Sequence, residues 1–300
     1  MAIMLFSALQ GLITMFKLPK LYFSKDSANF YQYLGDDLME GKDQGFADAK
    51  KPLWLNLGYW KAARTYPEAA AALACLVADA AKLGPNDSIL DVGFGYAEQD
   101  FLFIERYGVK HITGLNITPL HVERANQRVR DRKLEARMDL RLGSATEMPF
   151  EAASFDKVTA VECAFHFDTR ERFFAEAFRV LRPGGILATA DGGPFPGRGP
   201  LTMANRFALK VWAVPLANMY DRDEYKRKLE AHGFVNVKFQ SIRNDVFPGA
   251  KKYRLSRASG RSLNDPIELS QKEIDDCYSI EDWELIGFTD YVIYSAEKPR

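Results

Sequence analysis

The chain has little cysteine and no surplus of charge, and each scarcity excludes something. Its three cysteines, Cys75, Cys163 and Cys277, are spread over 300 residues. They match no zinc-ligand spacing, so they read as reduced, mostly buried side chains of a cytoplasmic protein, and no metal site is expected. Forty basic residues balance forty acidic ones, so no global field draws in nucleic acid, and no nucleic-acid partner is expected. Internal repeats and low-complexity tracts are absent. With 47% hydrophobic and 27% charged residues, the composition is that of a soluble, enzyme-sized globular chain.

Charge is missing altogether from residues 2 to 16, AIMLFSALQGLITMF. The run is shorter than the roughly 20 residues of a bilayer span, and without a basic start it does not resemble a signal peptide. Ser7, Gln10, Gly11 and Thr14 share one side at helical spacing, and apolar residues cover the rest. The stretch therefore reads as an amphipathic helix, followed by Lys17, Lys20 and Lys25. Three uses stay open for it. It can cap the core or a homodimer interface, close as a lid over an apolar substrate, or rest residues 1–20 on a membrane as a peripheral foot. Residues 1–66 are accordingly read as an N-terminal helical lid or cap.

From about residue 67 strand-like and helical runs alternate, the pattern of a Rossmann-like, doubly wound, mostly parallel α/β sheet. An alanine-rich helix at 67–82 precedes strands at 88–92, 111–115, 138–142, 156–161 and 186–190, with helices at about 98–107, 120–132 and 170–181 between them. The segment GGPFPGRGP, residues 192–200, reads as a flexible connector. It opens a partly helical insertion, about 192–232, where a substrate pocket is expected. Residues 235–242 and 289–296 read as edge strands, and the polar stretch 250–277 as a mobile surface extension.

The most informative segment is Ile-Leu-Asp-Val-Gly-Phe-Gly-Tyr-Ala, residues 89–97. A buried strand runs into Gly93 and Gly95, and a helix follows with Glu98, Gln99 and Asp100 in its first turn. A strand, a glycine turn and a helix N-terminus make a nucleotide-type site at the carboxyl edge of a sheet. A dinucleotide loop would carry a third glycine where this chain has Glu98, an anion placed where phosphate would sit. That substitution argues against a dinucleotide. Asp91 and the acidic loop suit a ligand with a cationic amino-acid end.

Five segments in order extend the argument: Asn56 to Trp60, DVGFGYAEQD at the first loop, GLNITPLHVERA at 114–125, FDKVTAVECAFHF at 155–167 and LRPGG at 181–185. Over about residues 54 to 245 the chain resembles class I S-adenosylmethionine-dependent methyltransferases, in the branch of sterol C-methyltransferases and bacterial natural-product methyltransferases. The resemblance implies S-adenosyl-L-methionine as cofactor and S-adenosyl-L-homocysteine as product. It places the methionine moiety at Asp91, Gly93, Gly95 and Gln99. It puts the ribose at Asn116 and Ile117, an uncharged departure from the usual acid, and the adenine at Ser144 and Ala145. Glu162 falls at the height of the sulfonium, and Tyr59 and Trp60 offer it aromatic faces.

His166, just past the fourth strand, is either a satisfied core histidine or a base. His111, His121 and His232 fall at surface or helix-end positions and are given no role. The expected acceptor is a small hydrophobic molecule. If its reacting atom is oxygen, the reading favoured, His166 is the base near its ordinary pKa of about 6.5. If it is the alkene carbon of an isoprenoid or sterol, Tyr59, Phe165, Phe167 and Glu162 steady the cation. Nitrogen and a non-catalytic, cofactor-binding subunit are remoter alternatives.

Overall fold

The computed structural model describes residues 52–193, 202–279 and 290–300. The expected N-terminal amphipathic helix and most of the glycine-proline connector lie outside the described residues. Thr65 opens the first described helix, α1 (Tyr66–Ala81), with a reciprocal capping box to Glu68, and Pro67 sits in its first turn. Lys82 closes it in the left-handed region. Its alanine-rich face, with Leu73 and Val77, is buried and packs on the centre of the sheet.

The strands are β1 (Ser88–Val92), β2 (His111–Asn116), β3 (Met138–Leu142), β4 (Phe155–Val161), β5 (Leu181–Gly192), β6 (Val235–Ser241) and β7 (Tyr291–Glu297). They lie in the order β3-β2-β1-β4-β5-β7-β6. All pairings from β3 to β5 are parallel, and β7 runs antiparallel to both β5 and β6. Ile89 joins one buried cluster while Leu90 and Val92 join the other, so the two-residue period of β1 serves a core on each face. Helices α2 (Glu98–Tyr107) and α3 (Pro119–Asp131) share the face of α1, and α4 (Arg170–Val180) takes the other. The chain winds outward from β1 to β3 and then returns to β4 on the far side of β1. That reversal leaves a crevice above the carboxyl ends of β1 and β4, the ligand position of doubly wound sheets.

Beyond β5 come α5 (Met203–Val211), α6 (Arg222–Ala231), α7 (Arg243–Ala258) and α8 (Gln271–Ser279). Where the polarity of 250–277 suggested a mobile extension, the chain is helical at α7 and α8. The Pro248-Gly249 pair conceals α7 in the sequence, yet Val246, Phe247 and Ala250 are buried in the main core. Gly249 is needed there for contact: a Cβ at that position would fall within the Trp60 ring. Tyr253 of α7 stacks on Tyr66 with centroids 4.2 Å apart. No helix among the described residues is long and apolar enough to cross a membrane.

Gly249→Ala is expected to cost about 1–3 kcal/mol by overpacking against Trp60, outweighing the helix-propensity gain. Urea denaturation measures it, and a stabilised variant would contradict this packing.

Candidate active site

The glycine loop follows from β1. Gly93 and Gly95 have φ of +72° and +57°, a conformation that glycine adopts without strain. Space is also tight, since a Cβ on Gly93 would lie 2.6 Å from Cys163 Sγ. Helix α2 then begins with Glu98, the residue that argued against a dinucleotide. Its carboxylate is buried and pairs with Arg128 of α3, and it also accepts the Leu53 N–H at 2.7 Å. Arg128 donates in addition to the Tyr96 carbonyl at 2.7 Å.

Asp91 is fully buried. Its Oδ1 accepts from Thr159 Oγ1 at 2.6 Å and its Oδ2 from Gln99 Nε2 at 3.1 Å. Asp100 lies against it, also fully buried. Burial pushes Asp91 up to about 7, against the stabilising bonds from Thr159 and Gln99. Burial and the Asp91 charge push Asp100 well above the usual carboxylate range. Two dry carboxyls side by side disfavour each other's ionisation, and the penalty falls most heavily on Asp100. The expected direct grip of Asp91 on a ligand becomes indirect. Gln99, which Asp91 orients, is on the cavity wall, and Asp91 stands behind it.

The crevice is a cavity of about 1220 Å³. At one end Gly93, Gly95, Gln99, Asn116, Ile117, Ser144, Ala145 and Glu162 share its wall. Asn116 closes β2 and turns its Oδ1 to the Thr118 N–H at 3.0 Å. Ser144 Oγ accepts the Thr146 N–H at 3.2 Å. Glu162, with φ of +57°, accepts the Leu57 N–H at 2.7 Å and the Tyr291 hydroxyl at 2.6 Å. Burial pushes it up to about 7 despite those two bonds. Glu98 and Glu162 thus pin residues 53–57 as a strap over the glycine loop, with Leu53, Leu55 and Asn56 on the wall. The strap was missed in the sequence because its anchors lie 45 and 105 residues away.

Tyr59 and Trp60 are not on this wall. Trp60 donates its indole N–H to the Leu57 carbonyl at 2.8 Å and packs with Ala69 and Ile267. Tyr59 packs against the core beside Asp245. Their rings anchor the strap from behind, off this wall. His121, read as a helix-end residue, is instead buried on the wall with its ring 4.4 Å from that of Tyr96, and burial pushes it down to about 4.

His166 ends a 3-10 turn, Ala164–His166, on the wall of the same cavity. Its Nδ1 lies 3.2 Å from the Ala213 carbonyl. Burial pushes it down to about 4, below the value expected from the sequence. Asn218 brackets the turn, donating to the carbonyls of Phe165 at 3.0 Å and Phe167 at 2.8 Å. Its Oδ1 accepts the Arg170 N–H at 2.8 Å, and the buried Arg170 pairs with Asp191 at 2.8 Å. This polar network is closed by the Tyr225 hydroxyl on Asp191 at 3.1 Å. A lone asparagine before Met219-Tyr220 gave no sign of that bracket in the sequence.

Arg128→Met would leave the Glu98 carboxylate buried without its ion partner. Urea denaturation is expected to show a loss of about 3–5 kcal/mol, largely recovered when Glu98→Leu is added. A neutral single variant would remove the ion pair from the stabilising set.

Residues 90–189 match the family described as a methyltransferase domain. Erythromycin 3''-O-methyltransferase of Saccharopolyspora erythraea is 36% identical over 257 residues, covering 82% of this chain and 84% of that protein. The sterol 24-C-methyltransferase of Debaryomyces hansenii is 34% identical over 110 residues, covering 37% of this chain and 29% of that protein. Among solved structures, the cyclase SpnF superposes with a TM-score of 0.67 at 21% identity, over 91% of this chain and 96% of that one. That likeness concerns the fold, which hosts more than one chemistry. A glycine cradle under the strap and an amide at the end of β2 suit a nucleoside with an amino-acid tail. The chain belongs to the class I S-adenosylmethionine-dependent methyltransferases of the natural-product type.

Proposed function

We propose that the enzyme methylates an oxygen of a small, largely apolar acceptor, with His166 as the base. The observation that carries the reading is the placement of a histidine, held neutral by burial, in the same cavity as the glycine loop. When bound, S-adenosylmethionine supplies an electrophilic sulfonium methyl. Gly93, Gly95, Gln99 and Asn116 would hold its amino-acid and ribose parts, with Ser144 and Ala145 beside the adenine. The strap excludes water from that end.

The Nδ1 contact to the Ala213 carbonyl favours the tautomer protonated on Nδ1, and the Trp212 carbonyl also faces the ring. A base of pKa about 4 is weak toward a free alcohol. It is adequate for an oxygen that turns strongly acidic as the methyl arrives, because the proton leaves late. His166 is held by the Ala213 carbonyl and the Asn218 bracket, so its main service is alignment. A carbon acceptor would need cation stabilisation. Of the groups expected to give it, Tyr59 and Phe165 are off the wall, while Phe167 is on it and Glu162 takes both of its bonds on Oε2.

His166→Ala is expected to slow methyl transfer by about 10²–10⁴-fold with unchanged S-adenosylhomocysteine affinity. In the wild type kcat/KM should be flat from pH 8 down to about pH 5 on this residue's account, and fall near pH 4 as the imidazole takes its proton. A folded, fully active His166→Ala enzyme would remove His166 from the mechanism. Asp91→Ala should weaken S-adenosylhomocysteine by roughly 1.5–3 kcal/mol in calorimetry, through the loss of Gln99 orientation. Unchanged affinity would show that Gln99 does not hold the ligand.

A further inference from the structure

Residues 53–57 cross the glycine loop without a helix or strand of their own, so their backbone groups depend on side chains brought from elsewhere. Glu98 and Glu162 receive the Leu53 and Leu57 N–H groups at the two ends. Between them acts the Tyr66 hydroxyl, which donates to the Trp54 carbonyl at 3.0 Å and to the Asn56 carbonyl at 2.9 Å. Its one proton is shared by both acceptors. These carbonyls flank Leu55, whose side chain covers the loop: a Cβ on Gly95 would stand 3.0 Å from Leu55 Cδ1. Tyr66 thus fixes the strap residue that lies over Gly95. Tyr66 is itself firmly seated. It is the first residue of α1, behind the Thr65–Glu68 capping box, and its ring stacks on Tyr253 of α7 within 6° of parallel. Burial, Tyr253 and Glu162 push its hydroxyl well above the ordinary tyrosine range, so it keeps the proton that it donates. Leu53, Leu55 and Asn56 are on the cavity wall, and Tyr66 is not. It holds ligand-facing residues without facing the ligand.

We infer that Tyr66 is a latch, a positioning residue that holds the strap closed over the glycine loop and sets how fast the cofactor and its product exchange. This rests on the proposed seat of the amino-acid end at Gly93, Gly95 and Gln99, beneath the strap. Entry and departure then require the strap to lift, and lifting breaks the Tyr66 bonds. A segment outside the helices and the sheet opens more readily than the core beneath it. Just past the strap the chain is fastened to α1, where the Tyr59 N–H donates to the Ala69 carbonyl at 2.8 Å. The movement is therefore confined to residues 53–57, with Leu55 at its centre.

The test is stopped-flow binding of S-adenosylhomocysteine to the full-length chain, read by tryptophan fluorescence, with Trp54 in the strap itself. Tyr66→Phe keeps the ring stack and removes the hydroxyl. Association and dissociation rate constants are each expected to rise about fivefold, the effect of one lost hydrogen bond, with the dissociation constant unchanged. Hydrogen exchange at the Leu53 and Leu57 amides of the ligand-free protein should quicken by the same factor, because it reads the same opening. Faster dissociation alone would make Tyr66 a fixed support of the binding surface and overturn the latch. A lower melting temperature with unchanged rates would make its role purely structural and overturn it too. Should Tyr66→Phe not fold, Tyr253→Leu removes the support under the ring and keeps the hydroxyl. Both rates should again rise together, and unchanged rates there also overturn the proposal. Gln99→Ala separates the latch from the reading beneath it. Undiminished S-adenosylhomocysteine affinity in that variant strikes the cofactor seat, whereas exchange at Leu53 and Leu57 that ignores Tyr66→Phe strikes the latch.

Discussion

The reversal of strand order between β1 and β4 is the constraint on which the site depends. It opens a crevice at the carboxyl ends of two central strands, and the residues that follow those strands face one another there. Gly93 meets Cys163 so closely that no other residue fits at the first position. The loop after β1 and the loop after β4 are consequently one surface. Everything proposed about the chemistry, from Gln99 to His166, depends on the two halves of the sheet winding away from that line.

Buried acids organise this surface in an unusual way. Glu98 and Glu162 receive backbone N–H groups from the same short strap, and Asp91 lies beside the buried Asp100 beneath the loop. Each carboxyl is removed from water, which is costly unless bonds are returned in kind. Glu98 recovers that cost through Arg128, and Glu162 through Tyr291 and Leu57. The acidic character of the cofactor end is therefore mostly internal. Of these acids Glu162 alone lines the cavity, beside amides and backbone groups, while the others hold the wall from behind.

The acceptor end follows another logic. There a single buried arginine, Arg170, gathers Asp191, the Asn218 carbonyl and the Gly192 carbonyl, and so ties the end of β5 to the turn that carries His166. The histidine is fixed by its surroundings and kept neutral by their dryness. Helix α5 lies over this rigid base with both charge and apolar surface turned to the cavity. The cavity thus joins a glycine cradle to an amphipathic wall.

How much of this was legible in the sequence differs by element. The glycine loop, the strand–helix alternation and the choice of cofactor were readable, because each is a local pattern: period-two apolar runs, glycines in a turn, acids at a helix start. Asn116, Ser144, Glu162 and His166 could be placed by their position after strands, since carboxyl ends of parallel strands share one edge. Tyr59 and Trp60 could not, because side-chain direction in an irregular strap is set by what it packs on, here Gly249 and Ile267 nearly two hundred residues further along. Helix α7 stayed hidden behind Pro248 for the same reason, its stability coming from a buried face and not from propensity. The sequence alone determined the fold class by short-range pattern, and the resemblance of five ordered segments implied the family and its cofactor. Tertiary structure alone decided which side chains face the cavity, which acids are spent on holding the strap, and how far burial moves His166 from its ordinary pKa. These depend on contacts between distant segments and on the exclusion of water, neither of which is written in any local stretch of chain.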